Sequence, residues 1–208
     1  MRPLEHYYAE RPSSKLRLGL IRCRLRDIEF EFITASGVFS RRRIDSGTRL
    51  LIESMELPER GRALDVGCGY GPIGIAAAKF RPKLQVWMVD VNERAVILAR
   101  ENARRNGVGN VRILQGHLYE PLRGRRFDVI LSNPPFSAGF KRVVKPLVEE
   151  AKRHLKTGGS IQLVVRWAKG GKALASLLEK QYGGYTVLAK SGGYRVLKAE
   201  LKPKCIAP

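Results

Sequence analysis

The tetrapeptide Asn133-Pro134-Pro135-Phe136 follows an apolar segment, Phe127 to Ser132, that is typical of a buried strand. An amide oxygen and a proline-fixed carbonyl can together accept the two hydrogens of a planar NH2 group. Proline rigidity lowers the entropic cost of this placement, and orienting the reacting atoms is worth several kcal/mol. The Phe136 ring can stack on a heteroaromatic base. We therefore predict that Asn133, Pro134 and Phe136 are catalytic and position the exocyclic amine of a base.

Taken alone, the same tetrapeptide is also typical of a simple proline turn before a helix. Its place after a strand of an α/β sheet favours the catalytic interpretation, because ligands of such sheets bind beyond the carboxyl ends of the strands. The predicted chemistry requires no metal, no general base and no covalent nucleophile.

A second group of residues forms a glycine-rich turn, from Asp65 to Gly71, between a buried strand at Ala63–Val66 and a helix beginning at Pro72. Glycines allow positive φ and a close backbone approach, and the helix start presents free N–H groups. The pattern predicts a nucleoside-bearing cofactor held by Gly67, Gly69 and Gly71. Asp90, which ends the next strand, is expected to accept hydrogen bonds from two ribose hydroxyls.

Three interpretations of the glycine turn remain open. The run from Gly69 to Gly74 matches the dinucleotide fingerprint of a nicotinamide cofactor, and the glycines can also make a plain strand-to-helix turn. However, Asp65 stands just before the glycines, where it would repel a pyrophosphate and face a cationic amino group. This favours S-adenosylmethionine, with its ammonium and sulfonium. Together with Asn133 to Phe136, the turn predicts methyl transfer to a planar NH2 group.

The elements that must position these residues follow from the apolar periodicity. Two short segments of alternating polarity, Ile21–Leu25 and Ile28–Phe32, predict an N-terminal hairpin. A helix is expected at Ser46–Met55, with Asp45 or Ser46 as its N-cap. From Arg62 onward, strand and helix patterns alternate, which predicts an α/β fold with a mostly parallel, doubly wound sheet. The predicted strands are Ala63–Val66, Gln85–Val89, Val111–Gln115, Phe127–Ser132, Ile161–Val165, Tyr185–Ala189 and Tyr194–Leu201, and the predicted helices are Pro72–Phe80, Glu93–Asn106, Val143–Leu155 and Ala173–Gln181. Gly158-Gly159 is expected to stop the third of these helices.

The composition narrows the class of protein. With 208 residues and 44% apolar content, the chain is expected to form one domain, with an extension at 1–58 and a catalytic core at 59–208. No apolar run approaches the ~18 residues of a membrane span, and Met1 to Lys15 does not resemble a signal peptide. The three cysteines include no CxxC pair, so neither a disulfide framework nor a metal site is indicated. We expect a cytoplasmic protein.

The charge indicates the partner. Lys and Arg number 39 against 19 acidic residues, a formal net charge of +20. An excess of this size favours a polyanion, and nucleic acid in particular. The clusters nearest to the two motifs are Arg41-Arg42-Arg43 and Lys141-Arg142, and we predict that these five residues contact RNA phosphates.

These residues together resemble the class I S-adenosylmethionine-dependent methyltransferases. Within them, the chain is similar to the small-subunit ribosomal RNA guanine-N2 methyltransferases and their single-domain archaeal and bacterial relatives. The resemblance covers nearly the whole chain. It rests on His6-Tyr7-Tyr8, Ser36 to Ser40, Asp45 with Gly47-Thr48, Asp65 to Gly71, Asp90, Asn133 to Phe136, and Gly192-Gly193-Tyr194-Arg195-Val196.

The resemblance implies a Rossmann-like seven-stranded sheet of order 3-2-1-4-5-7-6 with an antiparallel last strand. It implies an RNA base as substrate, and Thr48 and Asn133 as further cofactor contacts. Two features depart from the family. Bacterial ribosomal members have a duplicated pair of domains, whereas one is present here. In addition, Gly116-His117 stands where relatives carry Ser-Asp to hold the adenine amine. Neutral His117 can accept that hydrogen bond, and a plain surface histidine is the alternative.

Three hypotheses for function follow. The first is an RNA exocyclic-amine methyltransferase acting on guanine N2, cytosine N4 or adenine N6, with ribosomal RNA or a pre-ribosomal particle as its partner and tRNA as a further possibility. The second is a methyltransferase of a protein glutamine amide, and the third is a non-catalytic RNA-binding protein. The charge counts against the second and the intact loop against the third. Either a monomer or a homodimer is compatible with the sequence.

Overall fold

The computed structural model describes residue 10 and residues 15–203, so His6-Tyr7-Tyr8 lies outside the described residues. The strands are β1 Leu18–Leu25, β2 Ile28–Ala35, β3 Gly61–Val66, β4 Leu84–Asp90, β5 Val111–Gln115, β6 Phe127–Ser132, β7 Leu155–Arg166, β8 Thr186–Ser191 and β9 Tyr194–Glu200. The α-helices are α1 Ser46–Ser54, α2 Pro72–Phe80, α3 Glu93–Arg105, α4 Lys145–His154 and α5 Gly171–Tyr182. Short 3-10 turns at Glu120–Leu122, Phe136–Ala138 and Trp167–Lys169 and a π-helical turn at Phe140–Val144 complete the chain.

The sheet confirms the predicted topology. Seven strands are hydrogen-bonded in the order β5-β4-β3-β6-β7-β9-β8, which is 3-2-1-4-5-7-6 when the strands are numbered from β3. The strands from β5 to β7 are parallel, and β9 runs antiparallel to both β7 and β8. Helices cover both faces of the sheet, so successive residues of β3 are buried in two different cores. Ala63 packs in one core with the hairpin and α1 to α3, and Leu64 packs in the other with α4 and α5.

The start of β7 corrects one prediction. Gly158-Gly159 was expected to end a helix and precede a strand, but β7 begins at Leu155, directly after α4. The segment stays in the sheet because Gly158 donates to the Leu201 carbonyl and Leu201 donates to the Gly159 carbonyl, both at 2.8 Å. A side chain at position 159 would lie about 3 Å from three backbone carbonyl oxygens. The glycine pair therefore marks a close backbone approach at a register shift, and not a helix end.

The N-terminal hairpin is confirmed, and its strands are longer than predicted. Strands β1 and β2 pair antiparallel from Leu18↔Ala35 to Leu25↔Ile28, which leaves Arg26-Asp27 as a two-residue turn. Both turn residues have positive φ (44° and 64°), as the tight hairpin turns that match strand twist require. The inner face of the hairpin, which includes Phe30 and Phe32, is buried in the core.

Two asparagines fasten the hairpin to α3: Asn102 within the helix and Asn106 at its C-cap. The Asn102 amide accepts from the Ile33 N–H (2.7 Å) and donates to the Ile33 carbonyl (2.9 Å). One helical turn later, Asn106 does the same with Glu31, at 3.1 and 2.7 Å. Side chains four residues apart lie on one face of a helix, so the pair occupies the outer edge of β2 as a further strand would.

The motif-bearing turns meet at one edge of the sheet. Strands β3 and β6 are parallel neighbours, so the glycine turn after β3 and the Asn-Pro-Pro-Phe turn after β6 lie side by side. The Ser132 hydroxyl donates to the Val66 carbonyl (2.6 Å) and joins the two turns directly. In the described part of the chain, no helix is long and apolar enough to cross a membrane.

Candidate functional site

A cavity of about 490 Å³ opens at the carboxyl ends of β3, β4 and β6. This volume lies in the range of small-molecule and cofactor sites. Segments from the whole chain form its wall, including residues 38–40 after the hairpin, the start of α1, both motif turns and the end of β7. Of the predicted site residues, the lining ones are Thr48, Gly67, Gly69, Asp90, His117, Asn133, Pro134, Phe136 and Arg142.

The glycine turn forms a concave backbone surface in this cavity. Gly67 and Gly69 have φ of 72° and 57°, a region that other residues rarely adopt. A Cβ at either position would meet nothing within 4 Å, so the space above the turn is open for a ligand. Gly71 is different, because its Cβ would clash with Ile75 at 2.7 Å. Gly71 does not line the cavity, and it serves the packing of the turn on α2.

Asp90 lies at the end of β4, as predicted, and borders the cavity. Its carboxylate accepts from the Gly69 N–H (2.7 Å) and from the Asn92 N–H (2.9 Å). Burial raises the pKa of this carboxyl, and the surrounding backbone N–H groups oppose the rise. Because each carboxylate oxygen has two lone pairs, Asp90 can hold the turn in place and still accept from a ligand hydroxyl.

Asp65 does not lie on the cavity wall. The alternation of β3 directs its side chain beneath the turn, where it is 0% exposed. One oxygen accepts from the Gly74 N–H of α2 (2.9 Å), and the other, Oδ1, has no hydrogen-bond partner among the described residues. Burial and, to a lesser extent, the charge of Asp90 raise the pKa of Asp65 to about 7, against the effect of the Gly74 N–H. The structure thus shows a buried carboxyl that holds the turn against α2, and direct contact with an ammonium stays a prediction.

The Asn133 side chain is held in one orientation by residues of α1. Its Nδ2 donates one hydrogen to Asp45 Oδ2 (3.1 Å) and the other to Thr48 Oγ1 (2.9 Å). Both hydrogens of the amide are therefore used, and Oδ1 is left as an acceptor. Asp45 is also the N-cap of α1 and accepts from the N–H groups of Gly47 and Thr48. The predicted N-cap is thus confirmed, but its second role beside Asn133 could not be deduced from local sequence.

The remainder of the Asn-Pro-Pro-Phe turn shapes the cavity wall. Pro134 is buried, whereas Phe136 is half-buried and starts a 3-10 turn. A Cβ at Gly170 would lie 2.9 Å from the Phe136 ring, so the ring packs directly against this backbone. Phe136 is consequently supported on one side and borders the cavity on another, which suits a stacking platform.

His117 lies at the cavity but is exposed to solvent. Its backbone N–H donates to Glu120 (3.3 Å), and its Nδ1 lies 3.9 Å from a Glu120 carboxylate oxygen. The structure therefore places His117 within reach of a ligand, and its contact with the adenine amine stays a prediction.

Basic residues occur in two places around the site. Arg142 borders the cavity with Lys141 exposed beside it, and the structure brings two further bases to the same cavity, Arg166 and Lys169. Sequence reasoning missed this second pair, although both residues follow a predicted strand and so had to lie at the ligand edge. Arg41, Arg42 and Arg43 are also exposed, but they lie outside the cavity lining.

The late Gly-Gly-Tyr-Arg motif packs against the cavity from the β8–β9 turn. Tyr194 lines the cavity, and a Cβ at Gly47 would lie 2.9 Å from its ring. Arg195 stacks on Trp167, with its guanidinium carbon 3.6 Å from the ring centroid. The β8–β9 turn and the start of α1 are far apart in sequence, and these contacts bring them together at the cavity.

The cavity offers no activated nucleophile. Cys68 is buried in its wall, and burial together with the charges of Asp90 and Asp65 raises the pKa of the thiol well above its ordinary value. Within the described residues, no group of three or more His, Cys, Asp or Glu side chains is arranged to hold a metal ion. What the site presents is a set of oriented acceptors and an aromatic ring.

Comparison with known families agrees with this geometry. The family model of the methyltransferase small domain matches residues 29–198. The chain belongs to this family. This confirms the resemblance seen in the motifs.

Its relatives include proteins with and without an assigned function. An uncharacterised protein of Bacillus subtilis, YbxB, is 43% identical over 198 residues, covering 94% of this chain and 98% of that protein. Ribosomal RNA small subunit methyltransferase C of Escherichia coli K12 is 34% identical over 169 residues, covering 80% of this chain and 48% of that protein. The chain spans about half the length of such ribosomal RNA methyltransferases.

Among solved structures, a 16S rRNA N2 G1207 methyltransferase (RsmC) from T. thermophilus, in complex with AdoMet and guanosine, superposes with a TM-score of 0.78. It is 28% identical, and the match covers 92% of this chain and 52% of that one. The match confirms the Rossmann-like methyltransferase fold for this chain.

Proposed function

We propose that this methyltransferase transfers a methyl group from S-adenosylmethionine to an exocyclic amine of an RNA base, with guanine N2 of small-subunit ribosomal RNA as the first candidate. The observation that carries the proposal is the orientation of Asn133. Its two amide hydrogens are bound to Asp45 and Thr48, so the oxygen is available to accept a hydrogen from a substrate NH2 group.

The residues present fit the cofactor. The open concave surface at Gly67 and Gly69 can accommodate the methionine part, and Asp90 can accept from the ribose hydroxyls. Two acidic side chains lie at or beneath this surface, an environment that disfavours a pyrophosphate and suits a cation. S-adenosylmethionine supplies a methyl group on a sulfonium, which leaves as a neutral thioether when the methyl carbon is attacked.

The protein's own residues act on the amine. The lone pair of an amine conjugated to a base is delocalised, which makes the nitrogen a weak nucleophile. Asn133 Oδ1 accepts one of its hydrogens, and the Pro134 carbonyl, which already accepts from the Phe136 N–H (3.0 Å), accepts the other with its second lone pair. This orients the nitrogen lone pair towards the methyl carbon and increases its electron density. Phe136 stacks on the base and fixes the plane of the ring. The nitrogen forms the new N–C bond and loses one proton to solvent, so the chain needs no strong base.

The positive charge of the protein and the names of its relatives favour RNA as the substrate. The net charge is +20, and Arg142, Arg166 and Lys169 stand at the cavity. Related chains are named as ribosomal RNA methyltransferases.

Two measurements test the proposal. Isothermal titration calorimetry should show heat for S-adenosylmethionine and S-adenosylhomocysteine and none for NAD, and the opposite result would replace the cofactor assignment. Mass spectrometry of ribosomal RNA and tRNA nucleosides from a deletion strain should then show one methylated base lost. If all nucleosides are unchanged while a methylated glutamine disappears from a protein, the substrate is a protein amide.

A further inference from the structure

A second depression lies beside the catalytic cavity, between the free edge of β1 and the segment that leads into α1. Its volume is about 460 Å³. We call it the arginine groove, and its lining residues are Leu20, Ile21, Arg22, Cys23, Arg42, Arg43, Ile44, Ser46 and Arg49.

The arginine groove is strongly cationic. Four of its lining residues are arginines and none is acidic. Arg22 pairs with Glu31 (2.6 Å), and Arg49 lies 3.9 Å from Glu53. For Arg42 and Arg43, by contrast, no ion pair is found within the described chain. At least two guanidinium groups are therefore uncompensated, and Arg is the residue best suited to bind phosphate oxygens.

The floor of the groove adds backbone donors. Ile33 and Glu31 use their N–H and C=O groups on the asparagines of α3, so these residues do not bond across to their β1 partners, Leu20 and Arg22. In an antiparallel ladder such non-bonded pairs turn their polar groups outward on both strands. The Leu20 and Arg22 N–H groups thus face the groove together with their carbonyls, and the N–H groups can donate to phosphate oxygens. The Arg49 guanidinium, which donates to the Arg24 carbonyl on the same edge (2.8 Å), confirms this direction.

The groove and the catalytic cavity share a wall. Ser40, Asp45 and Thr48 line the cavity, whereas Arg42, Arg43 and Ser46, which alternate with them along the chain, line the groove. The helix turn that orients Asn133 on one side therefore presents cations on the other. A polyanion bound in the groove would be separated from the catalytic cavity only by the segment 40–48, which forms the shared wall.

We propose that the arginine groove binds phosphates of the RNA strand next to the nucleotide that enters the catalytic cavity. The inference rests on the proposed function, and it adds a substrate site that includes the β1 edge and Ser46. Phosphate contacts fix the register of a nucleic acid without reading its sequence, so the groove sets which nucleotide reaches Asn133.

Ser46 allows a sharp test, because its position separates charge from folding. It is exposed at the first turn of α1, where an acidic side chain interacts favourably with the helix dipole. Ser46→Glu should therefore fold normally while placing a negative charge in the groove. Ser46→Gln is the matched control of equal size and no charge.

The second pair of variants removes cations. Arg42→Gln/Arg43→Gln deletes the two uncompensated charges, and Arg60→Gln/Lys83→Gln deletes two exposed charges beside the amino ends of β3 and β4. Fluorescence anisotropy with a short labelled single-stranded RNA, over a series of salt concentrations, measures affinity. Each lost phosphate contact should reduce the slope of log affinity against log salt by about 0.7, which is about fivefold in affinity at about 0.1 M salt.

We expect Arg42→Gln/Arg43→Gln to bind about 25-fold more weakly at that salt, in line with two lost contacts. Ser46→Glu should lose affinity and Ser46→Gln should not, and the KM for ribosomal RNA should rise with little change in S-adenosylmethionine affinity. An equal loss of RNA affinity in the Arg60→Gln/Lys83→Gln protein would overturn the proposed role of the groove and indicate a diffuse effect of net charge. If the wild type methylates RNA and the groove variants match it, the groove is wrong and the proposed function stands. If the wild type neither binds nor methylates RNA, both fail.

Discussion

The side chain of Asn133 carries the first prediction at the scale of single residues. Asn133→Ala removes the acceptor of the substrate amine, and turnover should fall by about two orders of magnitude or more, as when a preorganised polar group at a reacting centre is lost. S-adenosylmethionine affinity should fall much less than turnover, because the glycine turn and Asp90 are untouched and only the expected Asn133 contact with the cofactor is lost. Single-turnover methylation of bulk ribosomal RNA with labelled donor measures the rate. Normal activity would show that the turn is only structural.

Asp45 orients Asn133 and is a positioning residue in our proposal. Asp45→Asn keeps an N-cap acceptor, since both residues cap helices well, but its amide can also donate. Asn133 could then turn its NH2 group towards the substrate. We expect kcat to fall about tenfold, which is close to the contribution of one hydrogen bond to a charged group, with the melting temperature nearly unchanged. Thr48→Ser, which keeps the hydroxyl, is the control, and an equal loss there would point to general disorder of α1.

Asp65 predicts a pH dependence of stability. Its folded pKa of about 7 lies above the ordinary value of an aspartate, so the folded protein binds this proton more tightly than the unfolded one. Between about pH 4 and 7 the free energy of unfolding should therefore decline as pH rises, by a few kcal/mol in all. Asp65→Asn should remove this decline. Thermal melts of both proteins at pH 5 and pH 8 test it, and parallel curves would assign the slope to other groups.

At the scale of elements, the asparagine pair of α3 determines where the hairpin sits. Asn102 is 0% exposed, and Asn102→Ala leaves the Ile33 N–H and C=O and the Tyr70 carbonyl without this partner, which should cost about 1–3 kcal/mol. Hydrogen exchange should quicken at the Ile33 amide first. Asn110→Ala deletes an equal amide that bonds the carbonyls of Ala78, Arg81 and Leu84, and it should leave Ile33 protected. Equal exchange at Ile33 in both variants would contradict the role of Asn102 in holding the hairpin.

At the scale of the whole molecule, the charge predicts how RNA is held. With a net charge of +20, binding should be largely electrostatic, and log affinity should fall with log salt by about 0.7 for each neutralised phosphate on single strands. Cofactor affinity should hardly respond, because backbone and carboxylate groups make that site. Titrating the same preparation with RNA and with S-adenosylmethionine at several salt concentrations compares the two. A flat response for RNA would favour a protein substrate.

The hydrophobic periodicity and the residues that end helices and strands were enough to predict the α/β architecture. The strands at Val111–Gln115 and Phe127–Ser132 and the helix at Pro72–Phe80 have the predicted bounds, because each is a run of one period bounded by glycine, proline or a capping residue. The sheet order was reached through family resemblance and not through periodicity. The start of β7 was predicted wrongly, since the contacts that keep Gly158-Gly159 in the sheet come from Leu201, far away in sequence.

The sequence by itself also predicted which residues carry the chemistry, because an Asn-Pro-Pro-Phe turn and a glycine turn have few other uses together, and these roles stay predictions. Only the tertiary structure decided how they are arranged. It fixed the Asn133 amide through bonds from its nitrogen to Asp45 and Thr48, placed Asp65 beneath the turn, and brought Arg166 and Lys169 to the same opening. These outcomes depend on contacts between segments far apart in the chain, and no local pattern encodes a hydrogen bond across 88 residues.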